Sequence, residues 1–250
     1  MTPSPILKVL STIQTNGVRS LLMGGQACVL YGGAEFSRDT DIVIVADADN
    51  LRRLQSALDD LDAAPIAVPP FEKEHLDEGL AVHFRCRRPG VEGMRVDVMS
   101  RVRGLPDFEM LWHRRTTVDT GSQTIEVLSL QDLITAKKTQ RDKDWPMIAR
   151  LVEAHWAQTP RPAADAAVEF WFRELRSPGL LAQLAREAPG MCRHIAAHRP
   201  LLKAALDGDE AAVTRMLQEE QNLEREADRA YWAPLRGRLE RLRLDRRTSG

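Results

Sequence analysis

The sequence is short of everything that would assign it to a special class. Cysteine is scarce: Cys28, Cys86 and Cys192 lie far apart. An odd number without metal-ligand spacing argues against a disulfide framework or a cysteine-held zinc. Cys28, between Ala27 and Val29, reads as a small buried apolar residue. Charge of one sign is missing too. Thirty-five Lys and Arg stand against 36 Asp and Glu, a net charge of −1, so nothing draws the whole chain toward nucleic acid or an anionic membrane. A nucleic-acid site would have to be a local patch. No stretch approaches the ~18 apolar residues of a membrane span. Met1-Thr2-Pro3-Ser4-Pro5 lacks the basic start and apolar run of a signal peptide, so a reducing cytoplasm and no membrane partner are expected. The six histidines are dispersed and no local Ser-His-Asp or Cys-His signature appears. His194 and His198 are four apart without the acid of a His-Glu-x-x-His zinc motif and read as a surface pair.

What is present is ordinary in bulk and specific in one place. A chain of 250 residues, 43% hydrophobic and 28% charged, can bury a sizeable core in one large or two modest domains. The specific place is Asp39-Thr40-Asp41, which runs into the apolar Ile42-Val43-Ile44-Val45 and follows Gly24-Gly25. Strand side chains alternate, so Asp39 and Asp41 project from one face. Two carboxylates meeting at one spot repel unless a cation lies between them. Mg²⁺ prefers such oxygens and takes substrate phosphates as further ligands. Gly-Gly lets backbone N–H groups come close to a phosphate. The combination reads as a metal-dependent nucleotide site. Phosphatases of the haloacid-dehalogenase type also use Asp-x-Asp, but there the apolar strand precedes the motif, and here it follows.

The surrounding elements follow from spacing. Ile6, Leu7, Leu10 and Ile13 predict a first helix, residues 18–23 a strand ending at Gly24-Gly25, and residues 26–31 a short helix closed by Gly32-Gly33. Residues 42–46 are the next strand. Leu51, Leu54, Leu58 and Leu61 mark a helix capped by Asp47 or Asp49. Residues 64–79, with Pro65, Pro69, Pro70 and Gly79, read as a connection. Residues 80–87 and 94–99 read as paired strands, and 124–128 as another. Ser129 and Asp132 form a capping-box signal. After Trp145 strand signals stop. The expected division is 1–144, an α/β domain with a mixed sheet and flanking helices, and 145–250, an all-helical domain. In the basic tail from Arg236 to Arg247, Leu235, Leu239 and Leu242 make one apolar stripe. An amphipathic terminal helix is preferred there over an RNA-facing surface, because no aromatic residue interleaves for base stacking.

The string Leu22-Met23-Gly24-Gly25, a short helix and Asp39-Thr40-Asp41 resembles the nucleotidyltransferase superfamily typified by DNA polymerase beta. The wider run Gly24-Gly25-Gln26-Ala27 through Tyr31-Gly32-Gly33 to Asp41 looks like its bacterial branch of abortive-infection toxins and their uncharacterised relatives. The resemblance covers roughly residues 18–150. It implies Mg²⁺ (or Mn²⁺) held by Asp39, Asp41 and a third acid on a neighbouring strand. Asp97, whose neighbours Val96 and Val98 face the other way, is the candidate, as metal ligand and proton acceptor. It implies a phosphate loop at Gly24 and Gly25. Ser37 and Arg38, which directly precede the first acid, are read as further phosphate contacts. Residues 132–144 resemble the family's later motif, which makes Lys137 and Arg141, four apart on one helix face, the cations that hold the triphosphate. Asp144 would orient one of them. The implied reaction moves a nucleoside monophosphate from a nucleoside triphosphate to an acceptor hydroxyl, on tRNA, other RNA or a protein, in a toxin with a cognate antitoxin. The alternatives are an antibiotic-type small-molecule nucleotidyltransferase, a catalytically silent nucleotide-binding regulatory module, and a helical interaction protein whose N-terminal domain is only a scaffold.

Overall fold

The computed structural model describes residues 4–34, 37, 39–121 and 123–248. In chain order the elements are α1 (Pro5–Thr15), β1 (Ser20–Met23), α2 (Gly24–Leu30), β2 (Asp39–Ile44), α3 (Ala48–Asp60), β3 (Ala63–Pro65), α4 (Lys73–Asp77), β4 (Val82–Cys86), β5 (Arg95–Met99), α5 (Phe108–His113), β6 (Thr116–Asp119), β7 (Thr124–Val127) and α6 (Leu130–Lys137). They are followed by α7 (Asp144–Gln158), α8 (Asp165–Glu174), α9 (Pro178–Glu187), α10 (Pro189–Ile195), α11 (Leu201–Leu206) and α12 (Glu210–Thr248).

The strands form one mixed sheet in the order β3-β4-β5-β2-β1-β7-β6. The β2–β5 and β1–β7 pairs are parallel and the other neighbours antiparallel. This is the mixed sheet with flanking helices expected from the sequence. Period-two alternation sorts its faces. Ile42 and Ile44 of β2, Val82 and Phe84 of β4, and Val96 and Val98 of β5 are buried in one cluster with Val9 and Ile13 of α1 and Leu54, Ala57 and Leu58 of α3. The alternate residues, Asp39, Asp41, His83, Arg95 and Asp97, therefore share the opposite face.

Local chemistry fixes the ends of these elements. Asp47 caps α3 by accepting from the Asn50 backbone N–H. The Asp132 N–H donates to Ser129 Oγ at 3.2 Å, which is the predicted cap of α6. Arg114 then holds the nearly buried Asp132 carboxylate through two nitrogens. The stretch read as a connection from 64 to 79 contains β3 and α4. Two elements went unread, α5, capped by Asp107, and β6.

By contacts the chain divides into two compact units. One comprises Met1–Leu30, Ala34–Ala136 and Ala230–Gly250, the other Tyr31–Gly33 with Lys137–Arg229. The sequence had suggested a division after residue 144. In the second unit Trp171, Phe172, Leu151 and Val152 are fully buried. Arg199 ties its helices together, donating to the Phe172 and Leu175 carbonyls and pairing with Glu220 at 2.9 Å. The basic tail forms the last turns of α12, where Leu235, Leu239 and Leu242 are half-buried and Arg238 donates to Glu78 at 3.0 Å. Among the described residues no helix is long and apolar enough to cross a membrane.

Candidate active site

Strand register brings the expected residues together. Met23 of β1 pairs with Asp41, and Asp41 pairs with Asp97 across the parallel β2–β5 ladder. His83 of β4 stands opposite Asp97, and Arg95 opposite Asp39. One row of the sheet face thus reads His83, Asp97, Asp41, and the next reads Arg85, Arg95, Asp39.

The glycines are set by the acid and by the segment before it. Gly24 follows Met23 directly, at φ +69°, a conformation that L side chains rarely adopt. A Cβ on Gly24 would lie 1.9 Å from Asp41 Oδ2. A Cβ on Gly25 would lie 2.4 Å from the Ser37 hydroxyl oxygen. The backbone of the turn is therefore pressed against the Asp41 carboxylate on one side and Ser37 on the other. Gln26, nearly buried, secures Ser37 by donating to its carbonyl at 2.5 Å. Arg38 lies outside the described residues.

Asp97 is 8% exposed and its charge is met on the spot. Arg95 Nη2 reaches both carboxylate oxygens, at 3.2 and 3.0 Å. His83 Nδ1 approaches Asp97 Oδ1 at 2.8 Å, outside hydrogen-bonding angles. Sequence reasoning missed both partners. Arg95 was accessible to it, since residues two apart on a strand share a face, whereas His83 becomes a neighbour only through pairing. Among the described residues no group of three or more His, Cys, Asp or Glu is placed to hold a metal ion, so Asp39, Asp41 and Asp97 do not close into one cluster. The donor chemistry fits a smaller arrangement. Asp39 and Asp41 are hard oxygen donors on one face, beside a turn whose two glycines carry no side chain of their own, and one or two carboxylates plus phosphates suffice for Mg²⁺.

Lys137, Arg141 and Asp144 belong to the second unit. The structure corrects the expectation that the two cations share a helix face. α6 ends at Lys137, and Arg141 sits in the turn before α7, where Thr139 donates to Asp144 Oδ2 at 2.6 Å. Both cations nevertheless converge on Asp144, Lys137 at 3.4 Å and Arg141 at 2.8 Å. Asp144 is 1% exposed and Lys137 8%. Burial pushes the Asp144 carboxyl up. Lys137, Thr139 and Arg141 outweigh that and hold it below its ordinary value. His194 and His198 are exposed.

No protein-family model and no curated protein matches the sequence. Among solved structures, an antigenic nucleotidyltransferase-like protein from Paracoccidioides brasiliensis shares 18% identity over 82% of this chain and 93% of its own, with a TM-score of 0.42. A candidate nucleotidyltransferase from H. pylori shares 15% over 85% of this chain and 95% of its own, with a TM-score of 0.39. At such identities and scores neither neighbour speaks for the activity of this chain.

Proposed function

We propose that the chain is a nucleotidyltransferase, binding a nucleoside triphosphate and a divalent cation at the Asp39–Asp41 face of the sheet. The observation that carries this reading is the contact between Gly24 and Asp41. A bare backbone turn and a carboxylate pair on one face suit a phosphate chain and its counter-ion better than they suit a structural strand entry. Asp39 and Asp41 would hold Mg²⁺ or Mn²⁺, which when bound supplies positive charge to the phosphate oxygens. Gly24 and Gly25 keep the main chain close against the Asp41 carboxylate and the Ser37 hydroxyl, so that a phosphate bound at those groups would meet backbone rather than side chains. In the reaction the acceptor oxygen bonds to the α-phosphorus, the bond from that phosphorus to the bridging oxygen breaks, and pyrophosphate leaves. The acceptor proton passes to a base or to solvent. RNA (tRNA included) or a protein is the acceptor class implied by the resemblance, as are a toxin role and an antitoxin partner. Lys137 and Arg141 keep their proposed part in triphosphate binding, which single alanine substitutions would test through the KM for nucleotide.

The test supplies each of the four nucleoside triphosphates, labelled on the α-phosphate, with Mg²⁺, total RNA and lysate protein. Label should appear on one class of acceptor and be lost in the D39N/D41N variant. Transfer that survives in that variant would sink the proposal.

A second reading, a nucleotide-binding module without turnover, is favoured by one observation, the absence of a three-acid cluster among the described residues. Tight nucleotide binding with no pyrophosphate release would select it.

A further inference from the structure

Resting on the reading that this face binds a nucleotide with a divalent cation, we propose that Asp97 is not a metal ligand. It is a positioning residue that holds the Arg95 guanidinium beside the acid pair, where Arg95 meets an anionic phosphate oxygen of the nucleotide.

Three observations lead here. First, Asp97 has both oxygens engaged by one nitrogen of Arg95, with His83 against Oδ1, and it joins no three-ligand group among the described residues. A cation entering there would have to displace a guanidinium already paired with the carboxylate. Second, that pairing uses a single Arg95 nitrogen. Arg95 Nε is buried without a hydrogen-bond partner, and the side chain as a whole is 36% exposed. A guanidinium carries five N–H donors and suits phosphate geometry. Third, Arg95 pairs in register with Asp39. Asp39, Asp41 and Asp97 together would repel a triphosphate, and Arg95 is a positive charge on their own face. Asp97 fixes its direction by pairing across two positions of one strand.

The experiment measures Mn²⁺ binding by the loss of the free-ion electron paramagnetic resonance signal. It also measures the Kd of a non-hydrolysable nucleoside triphosphate analogue by calorimetry with Mn²⁺ present. Wild-type protein should bind one Mn²⁺ per chain. D41N should weaken Mn²⁺ binding at least about ten-fold, while D97N should stay within about three-fold of wild type. R95A and D97N should each raise the nucleotide Kd about ten-fold, as expected for a lost charge-assisted bond, and the double variant should be no worse than either single one. D97N losing Mn²⁺ as D41N does, a second Mn²⁺ site, or additive effects in the double variant would overturn the proposal. Should D97N fail to fold, R95A decides alone: an unchanged nucleotide Kd refutes it. Wild-type protein that binds neither Mn²⁺ nor nucleotide removes the underlying function as well. Binding of both, with Asp97 behaving as a ligand, removes only this inference.

Discussion

Gly24 and Asp41 are in contact across the end of the β1–β2 ladder, so closely that no side chain fits between them. The register that pairs Met23 with Asp41 makes this unavoidable, because the next residue must turn away directly over the carboxylate.

Substituting G24A should accordingly act twice. The new methyl meets Asp41, and the positive φ is strained for alanine, so stability should fall by about 1–3 kcal/mol. The Asp41 carboxylate must also shift, so the nucleotide Kd should rise at least about ten-fold. Urea denaturation and calorimetry measure the two effects. A variant that binds nucleotide as wild type does would dissociate the turn from the site.

Asn50 fastens the strand ends to α3. Its Oδ1 accepts from the Arg19 N–H at 2.7 Å, and its Nδ2 donates to the Arg19 and Val45 carbonyls at 3.0 and 2.8 Å. N50A leaves these backbone groups to water or to nothing and should cost about 2 kcal/mol. The midpoint of urea denaturation reads this, and nucleotide binding by folded protein should hold.

Asp144 predicts a pH dependence in the second unit. Burial raises this carboxyl and its cationic neighbours lower it further, so its folded value lies below its unfolded one. Its stabilisation is therefore complete above the ordinary carboxylate value of about 4 and is lost as pH falls through the folded value. D144N strands the nearly buried Lys137 and should destabilise by about 3 kcal/mol at neutral pH. The gap from wild type should narrow below pH ~4, as guanidinium denaturation at two pH values would show.

All three cysteines are buried and none forms a disulfide. Burial pushes the Cys86 and Cys192 thiols up to about 11. The thiolate is the reactive form. The native protein should therefore leave a disulfide reagent almost untouched at pH 8, and denatured protein should react at all three positions. Rapid native labelling would show that these elements open readily.

The acid face was legible because it depends on alternation, which is local. Asp39 and Asp41 share a face by spacing, and Val96 and Val98 placed Asp97 on the side opposite the core. Arg95 beside Asp97 was within reach of the same spacing argument, but His83 was not legible, since it reaches Asp97 only through pairing between strands. Prolines concealed β3, because Pro65 at a sheet edge costs no ladder bond and still reads as a breaker. β6 is an edge strand whose side chains alternate between half-buried and exposed, so it lacks an apolar signal. Lys137 and Arg141 sit at helical spacing, but Thr139 and Asp144 build a turn between them that spacing alone does not encode.

The loop between β4 and β5 is closed at its neck, with the Cys86 N–H donating to Met94 at 2.8 Å and the Gly93 N–H donating back to Cys86 at 2.9 Å. Its length therefore decides which residue of β5 lies beside Asp41. One residue gained or lost between 87 and 93 would slide the strand by one step and set a valine where Asp97 stands. Insertions and deletions in this loop are thus changes to the chemistry of the face, and descendants of this chain that keep its function should keep the loop's length while their other turns drift.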